Sequence, residues 1–177
     1  MSKFNALVLN RDDDENLSHA VEQLDESELP AEGEVLIAVE YSTVNYKDGL
    51  CFAGQRGLVK IYPHIPGIDF AGEVISSEDD RYSAGDKVIL TGWRVGEIWW
   101  GGFAQRAKVK ADWLVPLPKG LTTRDAMSVG TAGLTAMLSI LTLEDRGLQK
   151  GDGEILLTGA GGGVGSIATA LLASMGH

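Results

Sequence analysis

Residues 154–176 read EILLTGAGGGVGSIATALLASMG, and this segment decides the fold. It opens on a short apolar run, Ile155, Leu156 and Leu157, and passes through a cluster of glycines. Residues 166–175 then hold no Gly or Pro and are rich in Ala and Leu. The pattern predicts a buried parallel strand, a loop and a helix. Such a loop is suited to a dinucleotide. One glycine makes the tight turn, a second lets backbone approach a pyrophosphate, and a third lets the helix pack closely while its N-terminus faces the anion. Gly162 and Gly165 take the last two roles, and Ala160 stands where the first glycine of G-x-G-x-x-G would be. Gly162, Gly163, Val164, Gly165 and Ser166 are therefore the candidate cofactor-binding residues here, their N–H groups opening the helix toward a pyrophosphate. The flanking strand and helix carry this reading, because glycines alone would fit a turn in any α/β protein. The Gly-Lys-Ser/Thr ending of a Walker loop is absent.

The acidic or basic residue that reads the adenosine ribose is expected about 20 residues beyond the glycines. Only residues 166–177 follow Gly165. One strand and one helix cannot bury a nucleotide-binding core. The sequence thus reads as the first part of a larger protein, with one complete domain and the start of a second.

The 177 residues are 44% hydrophobic and 23% charged, an ordinary globular balance. A formal charge of −10 and a pI near 4.7 argue against broad attraction to nucleic acid or an anionic membrane, so a phosphorylated ligand must be held by local groups. Cys51 is the single cysteine, which excludes an intramolecular disulfide framework and any multi-cysteine zinc site. The N-terminus lacks the length and flanks of a signal peptide, and no run approaches the roughly 18 apolar residues of a membrane helix. A cytoplasmic location is expected.

Earlier in the chain, strands are predicted over residues 4–9, 18–24, 35–40, 67–75, 87–90 and 103–109, separated by Gly turns such as Ala84-Gly85-Asp86. Residues 43–49, TVNYKDG, read as a compact polar loop, and this half shows no helical periodicity. Many short strands with Gly turns predict a mostly β, partly closed barrel. The pattern changes at residues 121–123. Thr122 or Thr123 caps a helix with Asp125 in its first turn, apolar residues follow at helical spacing over 126–143, and Gly130 and Gly133 interrupt it. The boundary is set there: a domain over 1–121, then linking helices and the first strand–loop–helix unit over 122–177.

Five motifs agree in order: VNYKD at 44–48, PGIDFAG at 66–72, AGDKV at 84–88, GTAGLTAM at 130–137 and GGVG at 162–165. Together they resemble the medium-chain dehydrogenase/reductase superfamily across the whole chain, implying a GroES-like catalytic domain followed by the start of an α/β Rossmann domain. The wording of NYKD, PGIDFAG, LTGW and DGEILLTGAGGGVGS is most similar to the zinc-independent, NADPH-dependent acrylyl-CoA reductase branch, the YhdH-type enzymes. Where zinc-bearing relatives place a catalytic Cys and a His, this chain has Asn45 and Ile68, and the cysteines of a structural zinc lobe are missing. No metal site is expected, and His19 and His64 read as surface or packed residues.

The resemblance assigns Asn45 and Tyr46 to the nicotinamide. Tyr46 is also the candidate catalytic residue, with a broad ring for packing and a hydroxyl able to donate a hydrogen bond. The alternative is an ordinary half-buried aromatic. Thr131 is implied to point at the nicotinamide amide, against a plain helix-interior Thr bonding a carbonyl. Lys47 and Asp48 are read as pairing with each other or with loop backbone, and Asp48 and Asp69 as structural. Trp93, Trp99 and Trp100 either line a substrate entrance or pack. Arg56, Lys60 and Arg94 are candidates for CoA phosphates, with solvated charge as the plainer account. The implied activity is hydride transfer from NADPH to the β-carbon of a 2-enoyl-CoA such as acrylyl-CoA, with the proton coming from Tyr46 or from water. The rivals are NADPH:quinone or alkenal reduction on the same fold and a non-catalytic nucleotide-binding fragment. The expected partners are a small-molecule substrate, enoyl-CoA or quinone, and a second subunit in a homodimer of the full-length protein, with neither nucleic acid nor membrane.

Overall fold

A computed structural model describes residues 2–177. The chain divides into two compact units, one ending at Ser128 and the other spanning Val129–His177.

The first unit is built on antiparallel strands. β1 (Lys3–Arg11) and β2 (Leu17–Asp25) form a hairpin registered from Lys3 opposite Asp25 to Arg11 opposite Leu17. The second sheet contains β3 (Val35–Ser42), β4 (Asp69–Ser77), β5 (Lys87–Thr91), β6 (Arg106–Val109) and β7 (Leu114–Pro116), in the order β6-β3-β4-β5-β7. Apolar side chains alternate along β3 and β5, so Val35, Ile37, Val88 and Leu90 meet Phe70, Val74 and Val109 in one buried cluster. Both sheets are open. The partly closed barrel expected from the sequence resolves into this pair, with β1 tied across by bridges from Ala6 to Ala104 and from Leu9 to His64. Closure would need β6 and β7 to pair, and they are short edge strands.

A helix occupies part of the stretch expected to be loop: α1 (Tyr46–Phe52). Seven residues are too few to display a helical period, and the usable signal was its start, with Asn45 before the helix and Asp48 at its third position. Ahead of β4, backbone packs on backbone. A Cβ on Gly67 would stand 2.6 Å from the Phe103 N, one on Gly96 would stand 2.7 Å from the Gly67 C, and one on Gly101 would collide with the Gly67 carbonyl oxygen. Side chains are excluded from this crossing, and the turn into Ile68 and Asp69 is fixed by it.

α2 (Thr123–Asp145) starts on a reciprocal cap. Thr122 Oγ1 accepts from the Asp125 N–H at 3.1 Å, while Asp125 Oδ2 accepts from the Thr122 N–H at 3.0 Å. The helix is broken at Gly130 (φ 50°, ψ −156°), a conformation suited to glycine, and Gly133, also expected to interrupt it, stays helical. An 18-residue window of α2 has a mean hydropathy of 1.6 with 33% of the window buried, so by length and composition alone it meets the measure of a membrane span, contrary to the sequence expectation. Apolar core helices meet the same measure, and the Gly130 break interrupts this one.

α3 (Gly163–Met175) closes on Gly176 in a left-handed conformation. Residues 155–157 belong to no described strand, and Leu156 is 91% exposed. The strand expected there is therefore not formed, because an extended segment becomes a strand only when a neighbour takes its backbone hydrogen bonds.

Candidate functional site

In the first unit the site residues gather where β3 runs into α1. The buried Asp69 carboxylate accepts from the Thr43 N–H (3.2 Å), the Thr43 hydroxyl (2.6 Å) and the Asn45 side-chain amide (3.1 Å). The Ser42 hydroxyl donates to the Asp69 carbonyl at 2.6 Å. Asp48, 1% exposed, clamps the same loop from the other side: its Oδ2 accepts from the Asn45 N–H at 2.8 Å and its Oδ1 from the Ile68 N–H at 3.0 Å. Burial pushes the Asp48 carboxyl above the ordinary carboxylate range, against the lowering effect of these N–H donors. Two carboxylates thus fix the backbone at Thr43 and Asn45 and tie it to Ile68. Tyr46 projects from this rigid base with its side chain 85% exposed beside Val44 at 88%. An exposed apolar pair on an over-determined loop is a surface suited to a flat ring.

Lys47 pairs with Glu97 instead of Asp48 or the loop backbone expected for it. Its Nζ lies 3.0 Å from Glu97 Oε1, and Arg94 Nε lies 3.4 Å from Glu97 Oε2, so the buried Glu97 carboxylate takes two half-exposed cations. Fifty residues of separation left no local signal for this contact. The tryptophans pack: Trp93 stacks on Trp113 with centroids 6.1 Å apart, Trp99 meets Trp113 edge-on at 4.9 Å, and the Trp99 and Trp100 indole N–H groups donate to the Lys108 and Pro63 carbonyls. The donor set at the zinc positions of the relatives is an amide already bonded to Thr43 and Asp69, plus the Ile68 side chain, which has no donor atom. Such a set does not fit zinc. Among the described residues no three His, Cys, Asp or Glu side chains are placed to hold a metal.

His64 is buried, and its imidazole is pushed below 6.5 by burial, against the raising effect of a hydrogen bond to the Gly96 backbone. Cys51 donates to the Gly96 carbonyl at 3.6 Å, and burial raises its thiol to about 11. Neither is a reactive group at neutral pH.

In the second unit the glycine loop has the shape of an anion cradle. The Gly162 N–H returns to the Gly159 carbonyl at 3.0 Å, and Gly159 is left-handed. The first bond of α3 runs from the Ser166 N–H to the Gly162 carbonyl at 2.9 Å, so the Gly163, Val164 and Gly165 N–H groups lie ahead of the helical ladder. A Cβ on Gly165 would collide with the Gly159 oxygen and stand 2.7 Å from Ala160 Cα; nothing lies within 4 Å of a Cβ built on Gly161. The loop is packed on its helix side and open on its outer side, which fits a dinucleotide pyrophosphate. A Cβ on Gly163 would stand 3.3 Å from Ala132 Cβ. The structure thereby brings the stretch carrying the half-buried Thr131 up to the loop.

Residues 31–119 match the family model described as the alcohol dehydrogenase GroES-like domain. The chain belongs to that family. Within it, the chain is 63% identical over 175 residues to the acrylyl-CoA reductase AcuI of Ruegeria pomeroyi, covering 98% of this chain and 53% of the relative. A crystal structure of the yhdH oxidoreductase from Salmonella enterica in complex with NADP superposes with a TM-score of 0.93 at 53% identity, over 98% of this chain and 53% of that one. The Bacillus subtilis protein yhfP with NAD bound superposes with a TM-score of 0.94 at 45% identity, over 100% of this chain and 53% of that one. The chain spans about half the length of these GroES-like relatives. The resemblance to the YhdH-type branch read from NYKD, PGIDFAG and the glycine loop is thus upheld.

Proposed function

We propose that the chain is the catalytic-domain half of an NADPH-dependent, zinc-independent reductase that converts a 2-enoyl-CoA, such as acrylyl-CoA, to the saturated thioester. The observation that carries this reading is the 63% identity to an acrylyl-CoA reductase along nearly the entire chain. NADPH, when bound, supplies the hydride that reaches the β-carbon. The chain's own contribution is positional. Asn45 and Tyr46 contact the nicotinamide end, Thr131 bonds the nicotinamide amide, and Gly162, Gly163, Val164, Gly165 and Ser166 hold the pyrophosphate. As the hydride arrives, the thioester oxygen gains charge and hydrogen-bond donors must stabilise it without a metal. Tyr46 is the candidate donor, with water as the alternative source of the α-proton. Residues 1–121 form the catalytic domain and 122–177 the linking helices and first nucleotide-binding unit, in a cytoplasmic homodimer that requires neither membrane nor nucleic acid.

Quinone reduction is the second reading, favoured by one observation: the YhfP relative, 46% identical, carries a provisional quinone-oxidoreductase name. The test uses a chimera of this chain with the remaining segment of the Ruegeria pomeroyi relative. NADPH consumption is expected with acrylyl-CoA and to be far slower with a quinone. The reverse ratio sinks the proposal, and NADPH binding with no turnover on either substrate favours a non-catalytic role. The chain by itself is expected to bind NADPH weakly or not at all.

A further inference from the structure

The loop that follows α1 has a charge pattern that the proposed site does not use. Residues 50–68 contain no Asp or Glu in a chain that carries 25, yet they hold Arg56, Lys60 and His64. Packing decides which of these reach solvent. Val59, Leu58 and Tyr62 join Leu9, Cys51 and Phe52 in one apolar cluster, so Arg56 and Lys60 are turned outward and exposed, while His64 is buried.

The two ends of the loop meet at Arg11. Its guanidinium carbon lies 4.8 Å from the Tyr62 ring centroid, and its Nη2 is 3.6 Å from where a Gly54 Cβ would stand. On β2, His19 meets Phe52 edge-on at 5.3 Å. Among the described residues Arg11, Arg56 and Lys60 form no ion pair, unlike Lys47, Lys87, Arg81, Arg94 and Arg106. The acids nearest to Arg11 in sequence, residues 12–15, make the hairpin turn, and the Asp12 carboxylate is taken up by Asn16 and the Asp14 N–H. The result is two exposed cations, Arg56 and Lys60, on an acid-free loop, with Arg11 over the Tyr62 ring where that loop meets β1. This loop follows α1, whose seven residues rise about 10 Å from Tyr46.

We infer that this patch binds the phosphate-bearing end of a ribose-phosphorylated adenosine, the group common to coenzyme A (3′-phosphate) and NADPH (2′-phosphate). Coenzyme A is the source the geometry favours, and this part rests on the enoyl-thioester reading above. A thioester whose acyl end lies at Asn45 and Tyr46 carries its phosphates on a long flexible arm, and α1 separates that acyl end from the patch. Guanidinium and ammonium groups bind phosphate by charge-assisted hydrogen bonds, and adjacent rings offer a face for the base. Arg94, grouped with Arg56 and Lys60 on sequence, is excluded because Glu97 holds it.

The test is calorimetric titration of the 177-residue chain with adenosine 3′,5′-bisphosphate and, separately, adenosine 2′,5′-bisphosphate. The 3′,5′ isomer is expected to bind more tightly, with affinity falling as salt rises. The double variant Arg56→Ala/Lys60→Ala is expected to weaken it by about tenfold or more, Arg56→Lys to retain most of it, and Lys110→Ala/Lys119→Ala to leave it unchanged. Unaltered thermal unfolding of the exposed-site variants excludes a folding artefact. Absent binding, equal loss in the Lys110/Lys119 control, or preference for the 2′,5′ isomer overturns the inference. Turnover plays no part in the titration, so failure of the reductase proposal and failure of the patch are told apart.

Discussion

Replacing Asp48 with Asn tests whether the loop around Asn45 is held by a carboxylate that supplies two acceptors. In the native chain each Asp48 oxygen takes one backbone N–H, from Asn45 at 2.8 Å and from Ile68 at 3.0 Å, in a site only 1% exposed. An amide offers one oxygen, so one of the two N–H groups must face an NH2. Leaving one buried donor unsatisfied costs about 1–3 kcal/mol, and Asp48→Ala, which orphans both, costs about twice that. The gain from removing a buried charge, expressed in the raised Asp48 carboxyl, offsets part of the Asn cost and places it toward the lower end. All four tryptophans, at 93, 99, 100 and 113, belong to the first unit, so fluorescence during urea unfolding follows that unit alone. With a slope of about 1–2 kcal/mol per molar, Asp48→Asn should lower the midpoint by about 1 M, and Asp48→Ala by more. Equal midpoints for all three chains would show that the carboxylate is not the clamp and that Tyr46 is positioned by other means.

Three further outcomes follow from the same geometry. Gly165→Ala drives a Cβ into the Gly159 oxygen, and should destabilise the second unit by about 1–3 kcal/mol, read as a lower melting temperature of the helical circular dichroism signal. Tyr46→Phe removes a hydroxyl from a side chain that is 85% exposed, so stability should change by less than about 0.5 kcal/mol while turnover of the acrylyl-CoA chimera falls; unchanged turnover removes Tyr46 as proton donor. His64 is held neutral by burial, so its contribution to stability is complete above 6.5 and declines as pH falls below that value, when the unfolded chain takes up the proton first. The acid slope in that window should flatten in His64→Gln, and an identical slope would assign it to other groups.

Six of the strands were legible in short apolar runs set off by polar or Gly-containing turns, and β4 was marked by PGIDFAG, but β7 was not predicted, because three residues cannot display an alternation. α1 was not, since seven residues cannot display a helical period, and its start signal was hidden in a stretch that also reads as a turn. Residues 155–157 show the opposite error: a strand-forming composition without a neighbouring strand stays unpaired. At the site, Asn45, Tyr46 and the glycine loop were visible as motif residues. The partners that hold them were not, because the contacts between Thr43 and Asp69 and between Lys47 and Glu97 join residues 26 and 50 positions apart. Local spacing carries no record of such pairs. Asp48 and Asp69 were read as structural, and their hydrogen bonds to loop backbone and side chains agree with that reading.

The central claim is hydride delivery to the β-carbon of an enoyl thioester, and it is tested most directly by isotope position. The chimera would be supplied with acrylyl-CoA and NADPH deuterated at the transferable position of the nicotinamide, and the product read by NMR. Deuterium at the β-carbon of propionyl-CoA, with the α-proton drawn from solvent, is the predicted result. Deuterium at the α-carbon, or no propionyl-CoA while a quinone is reduced under the same conditions, would contradict the account.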